Sequence, residues 1–173
     1  VMGLGCIPNE AESFLGMAGM HGSYAANMAI MECDLLIGIG VRFDDRVTGD
    51  LSSFAPRAKI VHFEVDAAEM NKNVPVDVKV WGDLRWSLPL FQQKLADSAE
   101  DYKARYSMWR QYTIAMREEK PFSYRKDTGY IMPQQLVETV SSLMDDATIV
   151  VTDVGQHQMW AAQFYNSRQP RQF

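Results

Sequence analysis

The chain has 173 residues, of which 47% are hydrophobic and 23% charged, so it can bury a sizeable core and is not compositionally disordered. Its net charge of -5 supplies no basic field for neutralising phosphate backbones, which argues against a nucleic-acid module. The two cysteines, Cys6 and Cys33, match neither a disulfide framework nor a zinc spacing, which fits a reducing compartment. No apolar run approaches the ~18 residues of a membrane-spanning helix.

The first half of the chain predicts alternating helices and strands. Ser23 can cap a helix that is rich in alanine and methionine. The apolar run at 34–41 stops at glycines and predicts a central strand, buried on both faces of a parallel sheet. Two further strands are expected at 59–65 and 74–80, with Asp66 capping a short segment after the first. This alternation predicts an α/β fold with a parallel, doubly wound sheet.

The middle of the chain predicts two helices of different character. Residues 84–95 show a helical pattern in which Pro89 implies either a start near Ser87 or a kink. From 98 to 120 charged and aromatic residues predominate, and we interpret them as a surface helix that leads into a linker. A turn at 126–129 is expected to close this part of the chain.

The last 40 or so residues predict the opening of a second α/β domain. Pro133 lies in the first turn of a helix that extends to about Met144 with an apolar stripe. Residues 147–152 predict a buried strand, and the turn at 153–155 leads into a helix that begins near Gln156.

The glycine-rich segment Gly16–Gly22 is the first candidate ligand loop. It has three glycines in seven positions, and His21 projects between two of them. Glycines allow a ligand to lie against bare backbone. A flexible turn with an incidental histidine explains the pattern equally well, so both interpretations stay open.

The segment Gly40–Gly49 follows a predicted strand directly. Arg42 and Arg46 flank Asp44 and Asp45, and a planar guanidinium suits a phosphate or a ribityl chain. An internal ion-pair cluster is the alternative. Because ligands of parallel sheets bind beyond the carboxyl ends of strands, the position favours binding.

Three other strand ends carry polar residues. Glu64 and the pair Gly82-Asp83 could hydrogen-bond ribose or ribityl hydroxyls, although exposed carboxylates at strand ends are at least as good an explanation. After 147–152, Gln156 and His157 lie on a first helical turn, where backbone N–H groups can hold a diphosphate. An ordinary capping turn is the weaker interpretation there.

Other constellations have less support. His21, Asp44 and Asp45 could be drawn as a metal cluster, but their spacing does not require one. His62 alternates along its strand and is interpreted as a hydrogen-bonded sheet histidine. No Ser-His-Asp or Cys-His arrangement has a recognisable spacing.

At these loops the sequence resembles the catalytic subunits of the acetohydroxyacid synthase (acetolactate synthase) family. The resembling stretches are 4–5, 15–22, 38–49, 62–65, 82–83 and 152–162. The resemblance implies a three-domain thiamine-diphosphate enzyme with a Rossmann-like, FAD-binding middle domain. The chain would then consist of most of that domain at 1–98, a linker and surface helix at 99–130, and the start of the thiamine-diphosphate-binding domain at 131–173.

The resemblance also implies roles for individual residues. Those that would contact FAD are Gly19, Met20, His21, Gly22, Gly40, Val41, Arg42, Asp44, Arg46, Val47, Glu64, Val65, Gly82 and Asp83. Those that would contact thiamine diphosphate are Val154, Gly155, Gln156 and His157, and those that would face the substrate channel are Met20, Asp45 and Arg46. The activating glutamate and the Mg²⁺ ligands would lie outside this chain, which is therefore expected to be inactive by itself.

The implied reaction is decarboxylation of pyruvate and carboligation to a second 2-oxo acid, pyruvate or 2-oxobutyrate, for the synthesis of valine and isoleucine. FAD would have no net redox role. The expected assembly is a homodimer or tetramer in the cytoplasm, or in a plastid or mitochondrion of a eukaryote, with a regulatory subunit left open and no nucleic acid or membrane as partner. The alternatives are a glyoxylate carboligase, a pyruvate oxidase, or a non-catalytic nucleotide-binding module.

Overall fold

The computed structural model describes residues 2–98, 101–127 and 129–173. These residues form two compact units. The sheet unit is Asn27–Trp109, and the terminal unit combines the described residues up to Ala26 with those from Arg110 onward. The domain limits expected from the sequence, at 98 and 130, stay a prediction.

The sheet unit contains three parallel strands in the order β1-β2-β3. They are β1 (Leu35–Ile39), β2 (Lys59–Glu64) and β3 (Val78–Trp81). The parallel α/β fold predicted from the sequence is thereby confirmed. The third strand begins later than expected, because the amide of Val76 donates to Asn71 Oδ1 at 2.9 Å and so is used outside the ladder.

β2, and not β1, lies at the centre of the described sheet, so the expectation of a central first strand was wrong for these residues. Only Gly38 is buried in β1, whereas Leu35, Ile37 and Ile39 are exposed on the other face. A continuous apolar run indicates that both faces of a strand are apolar. It does not say which neighbours cover them.

The core of the sheet unit lies against one face of the sheet and is formed by Phe43, Ala55, Ile60 and Val74. Gly38 makes room for it, because a Cβ there would lie 2.7 Å from Val41 Cγ1 and 2.8 Å from the Phe43 ring. This close approach brings the chain after β1 back over its own strand.

The helices begin where capping residues predict. Ser23 Oγ accepts from Ala26 N at 3.1 Å at the start of α1 (Tyr24–Glu32). Asp44 caps α2 (Asp45–Thr48), Asp66 caps the 3₁₀ turn Ala67–Glu69, and Asp83 caps α3 (Leu84–Ala96). The remaining helices are α4 (Tyr102–Arg105), α5 (Ser107–Glu119), α6 (Pro133–Leu143) and α7 (Gln156–Phe164).

The helix predicted over 84–95 is confirmed as α3 (Leu84–Ala96). Of the two effects considered for Pro89, a start near Ser87 does not occur, because the Asp83 side chain accepts from Arg85 N and fixes the start ahead of the proline. The single helix expected over 98–120 is two helices that are separated at Tyr106.

The buried strand expected at 147–152 is also wrong. These residues form no ladder, and Val151 is 87% exposed. Val150 N instead donates to Gln172 O at 2.7 Å. The turn expected at 126–129 falls partly on Thr128, outside the described residues. No helix within the described ranges is long and apolar enough to cross a membrane.

Candidate cofactor-binding site

The segment after β1 is held in place by its own carboxylate. Asp44 Oδ1 accepts from Val47 N at the start of α2, while Asp44 Oδ2 accepts from Arg42 Nε at 3.2 Å and from Arg42 Nη2 at 3.1 Å. Gly40 has φ 58°, and its N–H donates to Phe63 O at 2.8 Å. Gly40 therefore reverses the chain at the strand end in a conformation that other residues rarely adopt.

Two side chains from elsewhere in the sheet unit hold alternate carbonyl groups of this segment. His62 Nε2 lies 2.8 Å from Val41 O, and Asn73 Nδ2 donates to Phe43 O at 2.7 Å. His62 is completely buried, and a carbonyl partner requires that Nε2 carry its proton. The interpretation of His62 as a hydrogen-bonded sheet histidine is confirmed. Nothing in the sequence around Asn73 predicts its role.

The candidate substrate-channel residues of this segment lie at the surface. Arg46 Nε is 3.9 Å from Asp45 Oδ2, and both side chains are exposed. An ion pair of this kind contributes little to stability. The segment thus contains two ion pairs, Arg42 with Asp44 and Arg46 with Asp45, so the alternative of an ion-pair cluster stays open beside ligand binding.

Glu64 is the last residue of β2, and one of its carboxylate oxygens accepts hydrogen bonds from the backbone. Its Oε1 accepts from Val65 N at 2.9 Å and from Asp66 N at 3.1 Å, and the residue is only 9% exposed. Its Oε2 lies 3.9 Å from His62 Nε2. Glu64 is thus a fixed carboxylate at the carboxyl end of the central strand, which is where ribose hydroxyls are bound in such sheets.

Asp83 follows β3 and has a structural role in the helix that comes next. It caps α3 and accepts from the Arg85 guanidinium at 2.7 Å. The hydrogen bond from the Arg85 side chain, reinforced by that from the Arg85 amide, lowers the pKa of Asp83 below its ordinary value. Gly82, with φ 147°, has open space where a Cβ would lie.

In the terminal unit, Gly19–Gly22 form a tight turn in which Gly22 N donates to Gly19 O at 2.9 Å. A Cβ on Gly22 would lie 2.2 Å from Met17 O, so the turn itself requires this glycine. The side chains of Met20 and His21 are exposed, and His21 O accepts from Gln163 Nε2 of α7 at 3.0 Å. The glycines alone therefore do not decide between a structural turn and a ligand loop.

The turn into α7 also belongs to the terminal unit. Gly155, with φ 156°, occupies the N-cap position and provides no side-chain hydrogen bond to the first turn. Val154, Gln156 and His157 are exposed around it. The helix thus presents uncapped backbone N–H groups together with two polar side chains.

The predicted site residues are therefore divided between the two units. Gly40–Val47, Glu64, Val65, Gly82 and Asp83 lie in the sheet unit, and the 19–22 and 154–157 segments lie in the terminal unit. Among the described residues no three His, Cys, Asp or Glu side chains come together as metal ligands.

Comparison with known proteins identifies the family. The model of the thiamine pyrophosphate enzyme central domain matches residues 1–91. The chain belongs to the thiamine pyrophosphate enzymes. The match covers β1, β2 and β3, and with them the candidate loops at 16–22, 40–49, 64–65 and 82–83.

Individual relatives match the chain beyond residue 91 as well. It is 45% identical over 173 residues to "Acetolactate synthase, chloroplastic" of Arabidopsis thaliana, covering all of this chain and 26% of that protein. It is 43% identical over 171 residues to "Acetolactate synthase isozyme 2 large subunit" of Escherichia coli (strain K12), covering 99% of this chain and 30% of that protein.

A third relative is "Acetolactate synthase large subunit" of Parasynechococcus marenigrum (strain WH8102), at 48% identity over 164 residues, with 94% of this chain and 26% of that protein covered. The chain spans between a quarter and a third of the length of these relatives. The resemblance to acetolactate synthase catalytic subunits that the loops indicate is thereby confirmed.

Proposed function

We propose that the chain is part of an acetolactate synthase, and that it provides flavin-binding loops and part of a thiamine-diphosphate site. The observation that carries the proposal is that similarity to acetolactate synthases extends over the whole chain, from the 16–22 turn to the 153–157 turn. The enzyme would decarboxylate pyruvate and join the remaining two-carbon unit to pyruvate or 2-oxobutyrate, as in the synthesis of valine and isoleucine.

The geometry of the sheet unit fits an FAD. Gly40, Val41, Arg42, Asp44, Arg46 and Val47 would surround its ribityl and phosphate groups, and Glu64, Val65, Gly82 and Asp83 its adenosine end. Arg42 and Arg46 present exposed guanidinium groups, each beside a carboxylate, on a segment that is fixed by the bonds to Val41 O and Phe43 O. Guanidinium groups suit phosphate oxygens. In the terminal unit Gly19, Met20, His21 and Gly22 would line the flavin ring.

The turn at Val154–His157 fits a diphosphate. Its first-turn N–H groups have no side-chain cap, and a helix N-terminus attracts anions. Gln156 and His157 would donate further hydrogen bonds to phosphate oxygens. Thiamine diphosphate, when bound, would supply a carbon that is nucleophilic toward the 2-oxo group once it has lost its proton, and a ring that can accept the electron pair left when CO₂ departs. Mg²⁺ would be coordinated by residues that this chain does not contribute.

In the sheet unit Asp45 and Arg46 would face the 2-oxo acid, and the same role is proposed separately for Met20 of the terminal unit. The exposed guanidinium of Arg46 can form a bidentate pair with the substrate carboxylate, which orients the keto group. The assembly is proposed to be a homodimer or tetramer of complete subunits, in the cytoplasm or, in a eukaryote, in a plastid or mitochondrion. A plastid would agree with the name of the Arabidopsis thaliana relative, which is chloroplastic.

Cofactor restoration tests the proposal. A subunit of the relatives' full length that contains this chain is stripped of cofactors, and pyruvate consumption is measured as each is returned. Consumption is expected to need FAD, thiamine diphosphate and Mg²⁺ together. Full consumption without FAD would contradict the assignment of the 40–47 and 64–83 residues, and FAD binding without any consumption would favour a non-catalytic nucleotide-binding module.

A further inference from the structure

Trp81, the last residue of β3, is an exposed tryptophan whose ring is held in a fixed position. Trp81 is 71% exposed, yet its indole Nε1 donates a hydrogen bond to Val65 O at 2.9 Å. An exposed indole without such a bond can rotate among several orientations, whereas this hydrogen bond favours one of them. The fold therefore presents a flat aromatic surface to the solvent at the carboxyl end of β3.

The register of the sheet places Trp81 beside Glu64. The two residues are directly paired between β2 and β3, and paired residues of neighbouring strands project from the same face of a sheet. Glu64 Oε1 accepts from two backbone amides, and Glu64 Oε2 lies 3.9 Å from His62 Nε2. A fixed carboxylate and a fixed aromatic ring are thus neighbours at one sheet edge.

The space around the Trp81 side chain is open. Val65 is 62% exposed, and a Cβ on Gly82 would meet nothing within 4 Å. A planar ring can therefore approach the indole without displacing a described side chain. Aromatic side chains stack on nucleobases through such exposed faces.

We propose that Trp81 is the surface on which the adenine of FAD stacks, with the ribose hydroxyls directed to Glu64. This inference rests on the proposed FAD site and adds to it a residue that determines specificity. Trp81 would favour FAD over FMN, because FMN has the same flavin, ribityl chain and first phosphate but no adenosine.

Affinities for FAD and FMN test this inference in the full-length subunit. Dissociation constants for both are measured by flavin fluorescence for the wild type, Trp81→Leu and Trp81→Phe. Trp81→Leu is expected to weaken FAD binding about tenfold and to leave FMN binding unchanged, because stacking on one base contributes roughly this much. Trp81→Phe is expected to retain most of the preference, since it keeps an aromatic face.

A control and a second measurement separate stacking from folding. Tyr106→Leu removes another exposed aromatic ring of the sheet unit, one that stacks on Tyr102, and is expected to change neither affinity. In the unmodified enzyme, ADP is expected to compete with FAD and to quench tryptophan fluorescence, and Trp81→Phe to remove most of that quenching.

The outcomes distinguish this inference from the proposed function. If the wild-type subunit binds neither flavin, the proposed FAD site is wrong. If it binds FAD more tightly than FMN and Trp81→Leu leaves that ratio unchanged, or lowers both affinities equally, the adenine-stacking role is wrong while the FAD site stands.

Discussion

Arg46 is the exposed charge on which the proposed substrate contact depends. Arg46→Ala in the full-length subunit is expected to lower the affinity for FAD, the apparent affinity for the 2-oxo acid, or both. The expected loss is about 1.5–3 kcal/mol, because the change removes a charge-assisted hydrogen bond. Arg46→Lys should restore only part of the loss, since a point charge cannot reproduce a bidentate fork. Flavin titration and the KM for pyruvate measure the effect.

Arg57→Ala provides the matched control, because Arg57 is an exposed arginine of the same unit outside the predicted site. Thermal midpoints of both variants should stay near that of the wild type. If Arg46→Ala leaves flavin and substrate affinity unchanged, Arg46 is only the surface partner of Asp45.

His62 is the buried residue that fixes the 40–49 segment. His62→Leu is expected to lower the free energy of unfolding by about 1–3 kcal/mol, because Val41 O loses its donor. His62→Gln should lose less, since its Nε2 can reach the same carbonyl. Urea unfolding measures both, and a leucine variant as stable as the wild type would show that the hydrogen bond is dispensable.

At the scale of elements, α3 depends on the carboxylate at its start. Folding lowers the pKa of Asp83, so its contribution to stability is present above the unfolded-state pKa of about 3.9 and is lost as pH falls through the lower folded-state value. Asp83→Asn keeps a capping oxygen but cannot titrate. It is expected to lose less stability than the wild type does on acidification below about pH 4.

Thermal midpoints measured from pH 6 to pH 2.5 for the two proteins check this expectation. Asp97→Asn, at the other end of α3, is the control, and should follow the wild-type pH dependence more closely than Asp83→Asn. Identical pH profiles for Asp83→Asn and the wild type would mean that the Asp83–Arg85 contact does not persist in solution.

Local signals predicted the elements well where one residue decides the boundary. Ser23, Asp66 and Asp83 cap the helical segments that follow them, since a capping oxygen needs only the next few amides. Burial was predicted less well, because it depends on distant neighbours. The runs at 34–41 and 147–152 are both short and mostly apolar, but only the first pairs with another strand in the described residues.

In the candidate site, too, features that depend on neighbouring residues were predictable and those that depend on distant residues were not. Arg42, Asp44 and Glu64 could be found from their position after a predicted strand. Asn73 and Trp81 could not, because they act through carbonyl groups that lie 30 and 16 residues away in the chain. A pattern based on neighbouring residues contains no information about such contacts.

At the scale of the whole molecule, the sheet unit and the terminal unit contribute different proposed functions. The sheet unit would provide residues for the ribityl, phosphate and adenosine parts of FAD, and the terminal unit residues for the diphosphate of thiamine diphosphate. A chain that carries both sets of residues is expected to serve a reaction that needs both cofactors. Pyruvate oxidase and acetolactate synthase differ in the fate of the two-carbon unit that remains after pyruvate loses CO₂. A glyoxylate carboligase would instead start from glyoxylate, which leaves a one-carbon unit.

Product identification from ¹³C-labelled pyruvate tests the central claim most directly. The full-length subunit is incubated with pyruvate, thiamine diphosphate, Mg²⁺, FAD and phosphate, with and without oxygen, and the products are followed by NMR. We expect acetolactate and CO₂ in equal amounts, formed at the same rate under both conditions. Acetyl phosphate formed with consumption of oxygen, or no carboligation of pyruvate at all, would contradict the assignment to acetolactate synthase.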